Sequence, residues 1–203
     1  MNYLAHAYLS FGHPQILVGN LISDFVKGKK KFDYPPAIQQ GITLHRAIDT
    51  FTDDHPVTGL AKNIFRPHYR LYSGAFIDVV YDHFLATDEK EFGGEALYEF
   101  SQTVFATLDQ QQEWLPDNFL QLYPYMKSQN WLYNYRHKWG AQKSLAGVVR
   151  RATYLSDSET AIHLFEQHYQ LLHEYYRQFW ADLKSFALDQ FEGLTGGSFP
   201  SFR

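Results

Sequence analysis

Apolar residues recur at helical spacing along nearly the whole chain. Residues 2–11 predict a short apolar helix, broken by Gly12-His13-Pro14. Pro14 suits the first turn of a second helix, which runs through Ile16, Leu17, Leu21, Ile22 and Phe25 and ends near Gly28. Asp33-Tyr34-Pro35-Pro36 reads as a turn into a third helix, carried by Ile38, Ile42, His45, Ile48, Asp49 and Thr52 to about Asp54. Pro56 starts a short helix ending before Pro67, and a further helix spans about Ser73 to Ala86. Gly93-Gly94 marks a hinge. Beyond it come a helix from Glu95 to about Trp114, short helices over 117–153 with a break at Gly140, and a long C-terminal helix. That last helix opens on Ser156-Asp157-Ser158-Glu159, which has capping-box spacing. It runs through Ile162, Phe165, Tyr169, Leu172, Tyr176, Phe179 and Leu183, and a frayed tail follows from Gly193. No segment alternates as a strand does. The expectation is an all-α class: one compact helical domain over residues 1–203.

Polar residues interrupt this pattern at informative places. On a helix, residues four apart share a face, so His45 lies over Asp49 and Asp78 over Asp82. The neighbours of the second pair, Ile77, Val79, Val80, Tyr81, Phe84 and Leu85, are apolar. Two carboxylates in such a helix repel unless neutralised. Facing pairs of this kind would make a nitrogen and oxygen site for a divalent cation. A plain His–Asp hydrogen bond within one helix would give the same spacing, so the metal reading competes with a structural one. Asp53 extends the His45 stripe. Arg46 beside it suits a phosphate oxygen, because the guanidinium fork matches phosphate geometry. His6 and Asp24 stand among apolar residues near the N-terminus as further candidates, with Asn20 on the face of Asp24 as a supporting group.

Composition narrows the chemistry. The chain has no cysteine, which excludes disulfides, thiolate metal sites and cysteine nucleophiles. With 17 Phe, 15 Tyr and 4 Trp in 203 residues it can fill a sizeable core. Tyr123, Tyr125, Trp131, Tyr133, Tyr135 and Trp139 would pack there or line a groove for an extended ligand. The net charge of −4 disfavours bulk nucleic-acid binding. No signal peptide and no run approaching the roughly 20 apolar residues of a membrane span is visible, so a soluble cytoplasmic protein is expected. Positive charge concentrates in Lys27, Lys29, Lys30 and Lys31, either a solvated loop or a docking patch for an acidic partner or a phosphate. No phosphate-binding glycine loop and no nucleophile elbow occurs. The chemistry left is metal-assisted hydrolysis.

Several blocks, in order, resemble the acyl carrier protein phosphodiesterases: Met1-Asn-Tyr-Leu-Ala-His6, Gly19-Asn20-Leu-Ile-Ser-Asp24-Phe-Val-Lys-Gly28, Gly41 through His45-Arg46, Asp49 and Thr52-Asp53, and Asp82-His83-Phe84-Leu85. Trp131-Leu132 and Tyr135-Arg136 continue the likeness. The resemblance implies an HD-domain-like all-α hydrolase that removes 4′-phosphopantetheine from the serine of holo-acyl carrier protein, with manganese as the divalent metal. The His-Asp dipeptide of HD enzymes is absent, and Asp54-His55 and Asp82-His83 have the reverse order. On this reading His45, Asp49 and Asp82 are expected as ligands, with Asp24, His6 and Asp78 as ligands or supports. Arg46 would hold the phosphate, and His83 or Asp53 would act as general acid or orienter. The metal site would lie mainly in residues 1–90, with packing and a substrate groove in 95–190. The lysine run would dock the acidic carrier. The alternative is a phosphohydrolase of the same type acting on a nucleotide or another small phosphodiester, and a third reading is a binding module without catalysis.

Overall fold

The computed structural model describes residues 1–197. Within them the elements are α1 (Tyr3–Tyr8), α2 (Pro14–Ile22), α3 (Pro36–Asp54), α4 (Pro56–Tyr69), α5 (Ser73–Thr87), α6 (Ala96–Gln110), α7 (Asp117–Ser128), α8 (Trp131–Asn134), α9 (Lys138–Arg151), α10 (Glu159–Gln167) and α11 (Tyr169–Thr195), joined by short 3-10 turns. No strand occurs among the described residues, and none of the described helices is long and apolar enough to cross a membrane.

The most extensive helix pair is α2 with α3, because two glycines meet where they cross. A Cβ built on Gly19 would lie 2.1 Å from the Ile38 carbonyl oxygen, and one on Gly41 would lie 2.2 Å from that of Ile16. Only hydrogen atoms at both positions let the two backbones touch. The long α11 packs across α3, α4 and α5, while α5 also meets α1 and α9. Buried apolar residues from both halves of the chain form one core cluster. Its largest members include Phe65, Phe76, Tyr81, Phe84, Phe119, Phe165, Tyr176 and Phe179, all essentially without solvent contact. Each such aromatic contributes roughly 2–3 kcal/mol of burial. Tyr81 stacks on Phe179 with ring centres 4.9 Å apart, which ties α5 to α11 at the centre of the molecule.

Five local expectations are corrected. α4 continues through Pro67 to Tyr69, since the missing N–H falls in its last turn, where one hydrogen bond is a small loss. Gly140 does not break the chain but sits in the first turn of α9, where a Cβ would lie 2.0 Å from the Asn134 carbonyl oxygen. The expected single C-terminal helix divides at His168 into α10 and α11. Asp157, and not Ser156, caps α10: its Oδ1 accepts from the backbone N–H groups of Glu159 at 2.9 Å and Thr160 at 3.2 Å. The tail expected from Gly193 is helical to Thr195 and closes on Gly196 at φ 65°, while 198–203 lie outside the described residues.

Candidate functional site

The close crossing of α2 and α3 sets Asn20 beside His45, and α1 brings His6 to the same point. Asn20 is fully buried, and its amide orientation follows from its partners. Its Nδ2 donates to the His6 carbonyl at 2.8 Å and to Ser10 Oγ at 3.1 Å, while that hydroxyl itself donates to the His6 carbonyl at 2.8 Å. Oδ1 is therefore the atom that faces His6 Nδ1, at 2.8 Å, and it can only accept. The same residue's backbone carbonyl stands 2.7 Å from His45 Nδ1. Both imidazoles thus carry a proton on Nδ1 and direct Nε2 away from Asn20. The rings stack, with centres 3.9 Å apart and planes 17° from parallel.

Carboxylates face the two Nε2 atoms. His45 Nε2 lies 3.1 Å from Asp49 Oδ2 and 3.2 Å from Asp24 Oδ1. His6 Nε2 lies 3.2 Å from Asp49 Oδ1, but no hydrogen bond aligns with it, and it is a buried nitrogen without a partner. Burial, aided by the neighbouring His45, pushes the His6 imidazole down to about 4, so His6 is neutral at pH 7 and presents a lone pair to a carboxylate oxygen. His45 behaves oppositely. Burial works against its charge, but Asp24 and Asp49 more than offset this and lift it to about 9. Asp49 in turn is held far below the ordinary carboxylate range: burial opposes its charge, and the hydrogen bond from His45 together with the positive Met1 amino group prevails.

Two carboxylates and the His6 lone pair thus converge on one point, with the charged His45 between them. Ligand atoms of His6, His45 and Asp49 all lie within 4.8 Å of one another, the spacing of a metal's inner sphere. Their Nδ1–H groups are already fixed by outer partners, as in ligating histidines generally. A divalent metal therefore fits this nitrogen and oxygen donor set.

The surroundings sort the remaining candidates. Asp24, His45, Arg46, Asp49 and Asp53 share an open depression of about 450 Å³ with Lys27 on its edge. Arg46 Nη2 donates to the Val26 carbonyl at 3.0 Å, which holds the guanidinium at this edge. Asp53 is paired with Lys62 at 2.7 Å. Lys27, Lys29 and Lys30 are exposed and Lys31 is half-buried, on or next to the 3-10 turn Gly28–Asp33. Asp78 Oδ1 accepts from the Met1 amino group at 3.0 Å, which also reaches Asp49 Oδ1 at 3.3 Å.

Asp82 and His83 are not brought to the cluster's ligand atoms. Asp82 is buried at the start of α1, where Oδ2 accepts from the Leu4 N–H at 2.7 Å and Oδ1 from those of Asn2 and Ala5 at 3.2 Å. It serves as an anchor for a helix N-terminus. Burial raises its carboxyl to about 7 against those three donors. His83 Nδ1 donates to the Tyr135 carbonyl at 2.6 Å, and its Nε2 accepts from the Tyr169 hydroxyl at 2.8 Å. Burial lowers it to about 4, which makes it a neutral core histidine. The structure thus sets Asp82, expected as a ligand, against the backbone of α1, and His83, expected as general acid or orienter, between Tyr135 and Tyr169. Ser10, which fixes the Asn20 amide, was not anticipated; its only sequence mark is its place one turn after His6.

The comparisons with known proteins agree on one family. The family model described as acyl carrier protein phosphodiesterase matches residues 1–183. An acyl carrier protein phosphodiesterase of Yersinia pestis is 33% identical over 181 residues, covering 89% of this chain and 94% of the relative. One of Photorhabdus laumondii is 31% identical with 89% and 91% covered, and one of Salmonella agona is 33% identical with 89% and 92% covered. No solved structure matches the chain significantly, so the HD-domain likeness rests on the sequence resemblance alone.

Proposed function

The chain belongs to the acyl carrier protein phosphodiesterase family and is a phosphoric diester hydrolase, and from that premise we propose that it cleaves 4′-phosphopantetheine from the serine of holo-acyl carrier protein at the His6–His45–Asp49 cluster. The observation that carries this reading is the pair of stacked imidazoles, with Nδ1–H committed to Asn20 and Nε2 aimed at carboxylates. His6, His45 and Asp49, with Asp24, would hold a divalent metal, manganese in our reading. Such an ion supplies a more acidic bound water and charge to offset a phosphoryl oxygen.

The chain's own groups do the rest. Asn20 keeps both Nε2 atoms turned toward the ligand side; His6 offers a lone pair there, and His45 would give up its Nε2 proton on metal binding. Arg46 offers its fork to a phosphate oxygen at the rim of the same depression. Water adds to phosphorus, the bond from phosphorus to the serine oxygen breaks, and that oxygen leaves with a proton as the serine hydroxyl. Asp53, on the rim, is the remaining sequence candidate for supplying or orienting that proton. Lys27 lines the depression and Lys29, Lys30 and Lys31 follow on the adjoining 3-10 turn, and together they would meet the acidic face of the carrier.

The test is incubation of the purified protein with holo-acyl carrier protein and manganese, followed by intact mass. Loss of one phosphopantetheine per carrier is expected, and it should vanish with a chelator and with Asp49→Asn. An unchanged carrier mass with manganese demonstrably bound overturns the substrate assignment. Cleavage that survives both the chelator and Asp49→Asn overturns the site.

A further inference from the structure

A second, larger cavity is lined by Tyr3 and is separate from the depression around His45 and Asp49. It measures about 760 Å³ and is walled by Asn2 and Tyr3 together with parts of α7, α8 and α9. Trp131, Trp139 and Tyr125 give it flat faces, and the last two stand 53% and 60% exposed at its rim. Lys143, Arg150 and Arg151 bring three positive charges, and no Asp or Glu lines the space. None of these cations takes part in an ion pair among the described residues; Lys143 Nζ reaches only the neutral Gln129 Oε1, at 2.8 Å.

The two arginines converge. A Cβ built on Gly147 would meet Arg151 Nη1 at 3.4 Å and Arg150 Nη2 at 3.8 Å, and no other side chain beyond its chain neighbours within 4 Å. Both guanidinium groups therefore rest over one bare spot of α9. Two exposed like charges gain nothing from sharing a spot unless an anion sits between them. The cavity is lined by Tyr3, which opens α1, the helix that also carries His6. It shares no lining residue with the depression around His45 and Asp49.

We propose that this cavity is a second binding site, specific for an organic phosphate ester. The phosphate lies against Arg150, Arg151 and Lys143, and the organic part lies along Trp131 and Trp139. Guanidinium forks grip phosphate in paired hydrogen bonds, and indole faces take a flat ring or an amide-bearing arm. Two sources share this chemistry: a nucleotide, by its base, and a phosphopantetheine-like ester, by its amides. The site does not depend on the reaction proposed above.

Calorimetric titration of the metal-free full chain with ADP, with 4′-phosphopantetheine and with inorganic phosphate tests the proposal. Saturable binding of one ester per chain, tighter than inorganic phosphate, is expected, and whichever ester binds identifies the source. Asp49→Asn should leave the affinity unchanged. Arg150→Ala with Arg151→Ala should weaken it about ten- to a hundredfold, with the melting temperature kept. Gly147→Val keeps every charge but displaces both forks, and it should weaken binding as well. Failure of both esters to bind, equal binding of inorganic phosphate, loss of binding in Asp49→Asn, or full affinity in the double arginine variant would each overturn the proposal.

Discussion

Asn20→Leu separates the orienting role of Asn20 from its packing role. The replacement has nearly the same shape and removes three buried hydrogen bonds: that between Oδ1 and His6 Nδ1, and those from Nδ2 to the His6 carbonyl and Ser10 Oγ. The His6 carbonyl keeps the Ser10 hydroxyl as a donor, so its loss is partial. His6 Nδ1–H is left in an apolar pocket, at a cost of about 1–3 kcal/mol, and the other two bonds contribute about 1 kcal/mol each. The expected destabilisation is about 3 kcal/mol. The imidazole can escape this cost by moving its proton to Nε2, where Asp49 accepts it, but then the lone pair facing the metal position is gone. Loss of an outer partner of this kind weakens metal binding about 10–100-fold. Manganese at a hundred times the wild-type Kd stabilises the wild type by about 2.7 kcal/mol; a hundredfold weaker site at the same concentration gains only about 0.4 kcal/mol. Urea unfolding of both proteins, with and without manganese, reads both effects. A variant that is destabilised yet gains as much from manganese as the wild type would refute the orientation argument and leave Asn20 a packing residue.

His83 carries a pH prediction. Its folded value near 4 lies below the ordinary value of about 6.5, so the stability it contributes is present above pH 6.5 and is lost as pH falls through 4. The full difference is about 3 kcal/mol, and unfolding free energies from pH 7 to 4 should fall less steeply in His83→Gln; parallel curves would count against it. Reversing Lys29, Lys30 and Lys31 to Glu should raise KM for holo-carrier and flatten its salt dependence, with hydrolysis of a small phosphodiester unchanged; unaltered carrier kinetics would remove the docking role. Gly41→Ala should cost at least about 3 kcal/mol, because the added methyl would overlap the Ile16 carbonyl and the close approach leaves nothing to yield; a stable variant would mean that α2 and α3 can separate.

The helical class was legible because the 3.6-residue period runs through almost every segment, and most boundaries followed from Pro14, Pro36, Pro56 and the capping residues. Where it failed, one residue type had two uses. Gly140 reads as a breaker, yet it serves close approach to Asn134, and Pro67 tolerates a last helical turn. In the site, the i,i+4 rule placed His45 over Asp49, since that pairing lies within one helix. The same rule says nothing of the partners of Asp82, because nothing local reveals that the backbone N–H groups of α1 reach its oxygens. The meeting of His6 with Asp49 likewise depends on where α1 docks, which no short-range pattern encodes.

The bare contact of Gly19 with Gly41 also bears on the order of folding. The two residues are only about twenty apart in the chain, so the loop that joins them closes at low entropic cost. The contacts of α11 with α3 span well over a hundred residues and must wait. Asn20, Asp24, His45 and Asp49 would then come into register while most of the chain is still unstructured. Gly41→Ala should accordingly slow refolding more than it speeds unfolding, with a φ-value close to one. A change confined to the unfolding rate would instead place the crossing late, after the core has closed around it.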